Sequence, residues 1–293
     1  MPARHPKPSR TIGGALCAAL LLAVCAAGAP AAAGQTGPDA DAKPSNPCLD
    51  RAKRAELLCP DLRMSPPFGL IADPFVRPGR VVLRAGNSIN SVGRGPAELF
   101  GIRDSRFGMR ARQRIHKRGG GRIGIETGAR LVFKAIPGQG HYWKFHFAAR
   151  FELWRLDRRG QRTKTARRGP KISYCLRDLD HSRPRLPRSP RKFVYPACNQ
   201  SLARQKVTLG TSVGWSDVYP PGYHEQWIDV TGLRGCFDLV HTADPRNGIY
   251  ESNERNNSAA TMVRLPFKTG VQRCPGRRPA DPSGWGGFDP IGY

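Results

Sequence analysis

The sequence predicts an all-β protein, an antiparallel β-sandwich with long loops that is stapled by disulfides. Short apolar runs alternate with clusters of Gly, Pro and Asn, which favour turns. No segment carries the apolar periodicity of a long amphipathic helix. Regularly spaced short strands with frequent turn signals are typical of a sandwich. The predicted strands lie in the runs 81–83, 97–100, 131–136, 142–156, 171–176, 206–209, 227–230, 236–241 and 259–265.

The first 33 residues have the three-part pattern of a secretory signal. A basic start precedes an apolar stretch at 12–27, and a small-residue cleavage site follows at 31–33. The stretch is too short for a membrane span, because Gly28 and Pro30 end it. Lipid attachment at Cys25 is the alternative. We therefore expect a secreted or cell-surface protein without a transmembrane segment once the signal is removed.

Composition changes divide the rest of the chain. Residues 34–46 are small and polar, which predicts a disordered lead-in. Residues 47–267 hold the predicted strands and form one β-sandwich domain, with a loop expected at the proline-rich segment 59–70. Residues 268–293 are rich in Gly and Pro, which predicts a tail attached only through Cys274.

Six cysteines remain after signal removal, and an even number in an exported chain favours disulfides. Six cysteines allow 15 pairings, so sequence alone leaves the connectivity open. No CxxC spacing indicates a structural zinc site. Closure between near neighbours suggests three pairs: Cys48–Cys59, Cys175–Cys198 and Cys236–Cys274.

The chain is strongly basic, with 48 lysines and arginines against 22 acidic residues. The basic residues cluster at 110–122, 155–168 and 183–192. An arginine-rich composition with solvated loops is sufficient to explain these clusters. They would also attract cell-wall or other polyanions non-specifically. No nucleic-acid-binding signature accompanies them, so no specific nucleic-acid partner is expected.

A series of motifs resembles bacterial lysyl oxidase-like proteins. They span residues 59–267 and occur in the order expected of that family. The most specific is GWSDVYPPGYHEQWIDVTGL, which contains Tyr219, and KISYC contains Lys171. The others are CPDLRMSPP, LRAGNSINSVGRGPAEL, MRARQRI, GHYWKFHFAARFELW and ESNERNN.

The resemblance implies a copper amine oxidase whose cofactor, lysine tyrosylquinone, forms from Lys171 and Tyr219. A substrate amine condenses with the quinone, a base removes a proton, and hydrolysis releases an aldehyde. Asp217 lies two residues before Tyr219, so on a strand both side chains share a face. Asp217 is the candidate base, or the residue that orients one.

The copper ligands are where this sequence departs from the family. The family motif H-x-H-x-H places three imidazoles on one strand face, and such ligands suit copper. The best ungapped match puts Gly140, Tyr142 and Lys144 at the histidine positions. A cation at position 144 would repel copper.

Three other histidines are therefore the candidate copper ligands. His146 keeps the parity of the motif, whereas His141 should face the opposite side unless a β-bulge intervenes. His224 follows Tyr219 by five residues and would come from a loop.

Two functions follow. The first is copper-dependent oxidative deamination of a primary amine, including lysine side chains of a protein substrate. The alternative is a catalytically inactive, copper-free β-sandwich that binds cell-wall or other polyanions through its arginine-rich surface.

Overall fold

Strands form here because buried apolar residues alternate with exposed polar ones. A computed structural model describes residues 43–284. In β6 (Gly108–Lys117), Met109, Ala111 and Ile115 are fully buried, and Arg110 and Arg112 between them are exposed. This two-residue period matches the pleat of a half-buried strand. The all-β, antiparallel prediction is confirmed.

The largest sheet has eight strands, numbered in chain order with the rest. Its main path runs β12–β9–β8–β6–β5–β13, and β1 and β7 also pair with β6. All its pairings are antiparallel. The strands besides β6 are β1 (Leu57–Leu58), β5 (Ala97–Ser105), β7 (Arg122–Ile125), β8 (Arg130–Ile136), β9 (Gly140–His146), β12 (Ser173–Tyr174) and β13 (Lys206–Thr211).

Two smaller sheets complete the described part of the chain. The four-stranded sheet has the order β11–β10–β16–β17, from β10 (Ala149–Leu156), β11 (Arg162–Arg168), β16 (Gly235–Ala243) and β17 (Ser258–Leu265). The five-stranded sheet is built on β4 (Val82–Ser91). Its partners are β2 (Leu62–Met64), β3 (Phe68–Asp73), β14 (Ser216–Tyr219) and β15 (Trp227–Asp229).

The core between these strands is apolar and aromatic. Trp143, Phe145, Phe151, Tyr174 and Phe237 are among its largest fully buried side chains. Helical structure in residues 43–284 is limited to the four-residue α1 (Lys53–Glu56). None of the helices in that range is long and apolar enough to cross a membrane.

All three cysteine pairs suggested by closure between near neighbours are disulfides. They are Cys48–Cys59, Cys175–Cys198 and Cys236–Cys274. The second links the segment that carries Lys171 to the long connection before β13. It therefore restrains the neighbourhood of the candidate site.

Three local expectations were wrong. Residues 59–70 are not all loop, because β2 lies within them and β3 begins there, both pairing with β4. The run 142–156 is two strands in different sheets, β9 and β10. They are separated at Phe147, whose φ of 60° breaks the extended backbone. The basic cluster 155–168 is largely strand rather than loop, since it includes β11.

The C-terminal segment is held by more than its disulfide. The Arg277 guanidinium bonds Asp238 of β16 at 2.7 Å. The Gln272 side chain accepts a hydrogen bond from the Arg264 backbone N–H at 3.1 Å. The predicted signal at 1–33, most of the lead-in and the last residues of the tail lie outside the described residues.

Candidate functional site

Lys171 and Tyr219 meet in the folded protein although 48 residues separate them. The Lys171 Nζ lies 4.8 Å from the centre of the Tyr219 ring. Two strands bring them there. β12 follows Lys171 and pairs with β9, whereas Tyr219 ends β14, which pairs with β4. The contact therefore joins the eight-stranded and five-stranded sheets.

Backbone groups next to Lys171 hold the Tyr219 ring in place. The Tyr219 hydroxyl accepts a hydrogen bond from the Cys175 N–H at 3.2 Å and donates to the Cys175 carbonyl at 3.3 Å. The Tyr174 ring packs edge-on against Tyr219, with centroids 4.7 Å apart. Burial, followed by the nearby Asp217 carboxyl, raises the pKa of Tyr219 well above its usual value. The ring is thus buried, neutral and fixed.

The Lys171 amine is also buried, with 1% of its surface exposed. Its Nζ donates a hydrogen bond to the His224 carbonyl at 3.1 Å. Burial, reinforced by the positive charge of Lys144, lowers the pKa of Lys171 to about 7. A large fraction of this amine is therefore uncharged near neutral pH, the form that is nucleophilic.

A small cavity of about 120 Å³ adjoins the pair. Its lining is rich in basic side chains and phenols. It is lined by Ile136, Gln139, Tyr142, Lys144, Lys171, Cys175, Arg177, Leu179, Val218, Tyr219, Tyr223 and His224.

Lys144 is the residue that most changes the character of this site. It lies on β9 with 5% of its surface exposed, and it lines the same cavity as Lys171. Burial is the main cause that lowers the pKa of Lys144 to about 8, and the Asp217 carboxylate opposes that shift. The sequence placed Lys144 where the family has a histidine, and the structure places it in the lining of the cavity that adjoins the lysine–tyrosine pair.

Asp217 interacts electrostatically with both Lys144 and Lys171. It is fully buried on β14, in the same alternation as Tyr219. Neither carboxyl oxygen has a hydrogen-bond partner among residues 43–284. Burial raises the pKa of Asp217 well above its usual range, although Arg177, Lys144 and Lys171 act against that shift. A buried carboxyl without partners favours its neutral form.

The candidate copper ligands do not come together. His146 shares a strand face with Lys144, and its Nδ1 contacts the Ser173 hydroxyl at 3.1 Å. His141 is exposed on the other face, where its ring stacks on Phe133 with centroids 5.7 Å apart. The β8–β9 pairing is regular along its length, so no bulge turns His141 inward.

His224 reaches the cavity from the turn after β14 but has a different partner. Its Nε2 lies 3.5 Å from the Glu225 carboxylate. Residues 43–284 contain no group of three His, Cys, Asp or Glu side chains arranged to hold a metal. With Lys144 as a cation in the cavity, this donor set does not fit copper.

Sequence reasoning gave no functional role to several residues that shape the site. Tyr142 and Arg177 line the cavity, and Tyr174 packs on Tyr219. The signal for Tyr142 was available, because it shares the parity of Lys144 and His146 on one strand. Tyr174 and Arg177 gave no signal of their own, since only the pairing of β12 with β9 brings that segment to the site.

Comparison with known proteins agrees with the motifs. The lysyl oxidase family model matches residues 131–274, a segment that includes both Lys171 and Tyr219. No curated protein matches the chain. The three disulfides and the family together indicate an extracytoplasmic protein. The chain is a lysyl oxidase-like protein.

Proposed function

We propose that this protein is an exported, copper-free member of its family that binds polyanions through its arginine-rich surface. Residues 1–33 would direct its export. The observation that carries the copper-free part is Lys144, a buried cation in the cavity beside Lys171 and Tyr219. Family members generally depend on copper and lysine tyrosylquinone. The positive charge of Lys144 would repel a metal dication in this cavity. The set of imidazoles available to hold the metal is also incomplete.

The charge distribution supports the binding part of the proposal. The formal net charge is +26, a large potential that attracts anionic chains. Many arginines remain free to act on a ligand. Arg185, Arg188 and Arg191, for example, are exposed and make no ion pair within residues 43–284.

Amine oxidation is the second candidate, and one observation favours it. The Lys171 Nζ and the Tyr219 ring are in contact, and the pKa of Lys171 is lowered to about 7. Once dioxygen has oxidised the ring to a quinone, which is an electrophile, an uncharged amine held against it is placed to add and cross-link the two side chains. Asp217, which is fully buried on β14, would then act as the base after losing its proton. The substrate would be a primary amine, such as a lysine side chain of another protein.

One experiment separates the two functions. The protein is incubated with copper and air, desalted, digested and analysed by mass spectrometry. The proposal expects no retained copper, no peptide that joins the Lys171 and Tyr219 segments, and no peroxide released with primary amines. It also expects retention on an immobilised polyanion that falls steeply with salt. A cross-linked peptide with amine-dependent peroxide would establish the oxidase instead.

A further inference from the structure

A second and larger concavity lies outside the lysine–tyrosine site. It has a volume of about 730 Å³, within the roughly 300–1,000 Å³ range of ligand sites. Four arginines from three separate chain segments line it: Arg51, Arg54, Arg94 and Arg188. We call this concavity the arginine groove. None of its lining residues is shared with the cavity beside Lys171.

The four guanidiniums of the groove have no carboxylate partner in the described part of the chain. Within residues 43–284, none of them takes part in an ion pair. Two arginines of another pocket differ, since Arg114 and Arg122 both bond the buried Glu98, at 3.1 and 3.3 Å. The charges of the arginine groove are therefore available to a ligand.

Among residues 43–284, Asp61 is the one acidic residue that lines the groove, and its carboxylate already has other partners. Its Oδ1 accepts a hydrogen bond from the Asn256 side-chain amide at 2.8 Å and lies 3.9 Å from the Arg63 Nε. Neither Asn256 nor Arg63 lines the groove. The Asp61 carboxylate is thus engaged by groups outside the groove, and the four arginines outnumber it in the lining.

The wall that carries Arg94 is rigidly built. The Arg94 backbone N–H bonds the Cys59 carbonyl at 2.9 Å, and the Val92 N–H bonds the Asp61 carbonyl at 2.8 Å. A side chain at Gly93 would collide with the Asp61 backbone nitrogen at 2.4 Å, so the turn sits directly on the 59–61 segment. The Cys48–Cys59 disulfide also lines the groove and ties the 59–61 segment to Cys48.

The opposite wall, which carries Arg188, is also held. The Ser189 N–H bonds the Leu186 carbonyl at 3.0 Å, and the Trp215 indole N–H bonds the Pro190 carbonyl at 3.0 Å. The His181 ring stacks on Trp215 with centroids 4.3 Å apart. The backbone that carries Arg94 and Arg188 is therefore fixed before a ligand arrives, which lowers the entropy lost on binding.

This geometry selects a class of ligand. Each guanidinium forms a planar fork that matches a carboxylate or sulfate group. Arginines on three segments around one large groove need several anionic groups, which a chain with repeated charges supplies. Among residues 43–284, no aromatic residue lines the groove, whereas single-stranded nucleic acids are typically held by stacking on aromatic rings. An exported protein with this groove is suited to an acidic glycan.

We propose that the arginine groove is the specific binding site of an acidic glycan, a chain bearing carboxylate or sulfate groups on successive sugars. This inference rests on the proposed polyanion-binding function and assigns it to one site. The glycan's anionic groups would bond Arg51, Arg54, Arg94 and Arg188. Its carbon faces would pack on the apolar floor formed by Leu57, Val92, Leu186 and Pro187.

The test compares two variants with equal loss of charge, using the full chain with its disulfides intact. The groove variant replaces Arg51, Arg54, Arg94 and Arg188 by Gln. The control replaces four exposed arginines outside the groove by Gln: Arg110, Arg158, Arg273 and Arg278. Circular dichroism and thermal unfolding confirm that both fold. Binding is measured by fluorescence anisotropy with labelled oligogalacturonate, heparin oligosaccharide and oligouridylate.

We expect the groove variant to bind its glycan about a hundredfold more weakly, and the control to stay within about threefold of the parent protein. Oligogalacturonate and heparin distinguish a carboxylated from a sulfated glycan. Equal losses in both variants would overturn the groove assignment while leaving polyanion binding intact. Groove-dependent binding that is tighter for oligouridylate would overturn the glycan assignment. No binding of any polyanion by the parent protein would overturn the proposed function itself.

Discussion

Lys144 and Lys171 line the same cavity, and the charge of Lys144 is, after burial, the largest cause of the lowered Lys171 pKa. Two buried amines side by side are unfavourable when both are charged. In this lysyl oxidase-like chain, Lys144 stands at a family copper position, and its positive charge makes Lys171 less basic.

Replacing Lys144 by Met tests this relationship. The substitution nearly keeps the side-chain length and removes the charge, so the pKa of Lys171 should rise from about 7 toward its ordinary value. We expect Lys171 to react more slowly at neutral pH with a small electrophile that modifies amines. Mass spectrometry across a pH series measures the extent of modification. Lys164→Met, on the exposed face of β11, is the control and should leave the profile unchanged. An unchanged Lys171 profile in Lys144→Met would contradict the coupling.

The buried Lys171 amine should also make stability depend on pH. Its pKa is lowered from 10.5 to about 7 on folding, so between these values the unfolded chain binds more protons. The free energy of unfolding should therefore rise with pH from about 7 toward 10. Lys171→Met should be more stable than the parent by about 3–5 kcal/mol near pH 7, with a gap that closes as pH rises.

Urea unfolding at pH 7, 8 and 9 measures this gap. Lys164→Met again serves as the control, because its side chain is exposed in both variant and parent. Stability curves of Lys171→Met and the parent that run parallel over this pH range would show that the amine is not desolvated in solution.

Much of the architecture could be predicted because local signals and global structure agree. Turn residues separate the strands, and the closest cysteines pair. The contact of Lys171 with Tyr219 was expected from the family resemblance and not from the residues alone. The break at Phe147 was not predictable, since an aromatic residue at φ 60° carries no turn signal.

The details of the site depended on contacts between distant segments. Lys144, Tyr142 and His146 share a strand face by parity, which was foreseeable. That this face borders the cavity follows from the pairing of β9 with β12. The arginine groove had no sequence signature, because its arginines come from three segments that meet through the Cys48–Cys59 region and the 186–188 loop.

Restoring histidines on β9 should create a copper site. Positions 142, 144 and 146 are alternate residues of the strand and share one face, and His146 is already present. The double variant Tyr142→His and Lys144→His would complete three imidazoles and remove the opposing charge. We expect it to retain about one copper ion per chain after desalting, because three imidazoles suit this metal. Metal analysis and electron paramagnetic resonance provide the measurement.

The matched control for that experiment is Tyr142→Phe with Lys144→Met. It removes the same cation and phenol but adds no ligand. Retained copper in the control at the level of the double-histidine variant would show that the metal binds elsewhere. Copper retention by the unsubstituted protein would contradict the proposed copper-free function directly.

His241 provides a test of the core away from the candidate site. Its ring is fully buried and stacks on Phe151, with centroids 3.7 Å apart. Neither ring nitrogen has a hydrogen-bond partner within residues 43–284. An unpartnered buried polar group costs about 1–3 kcal/mol, so His241→Phe should stabilise the protein by about that amount at pH 7.

The advantage of His241→Phe should grow as pH falls. Burial lowers the pKa of His241 from 6.5 to about 3, so between these values the unfolded chain binds more protons. The parent therefore loses stability as pH drops through this range, and the variant lacks that contribution. Urea unfolding at pH 7, 6 and 5 measures the difference. The exposed His141→Phe is the control and should change stability by less than about 1 kcal/mol at each pH. A stability difference for His241→Phe that stays constant with pH would mean that the ring reaches water or a partner.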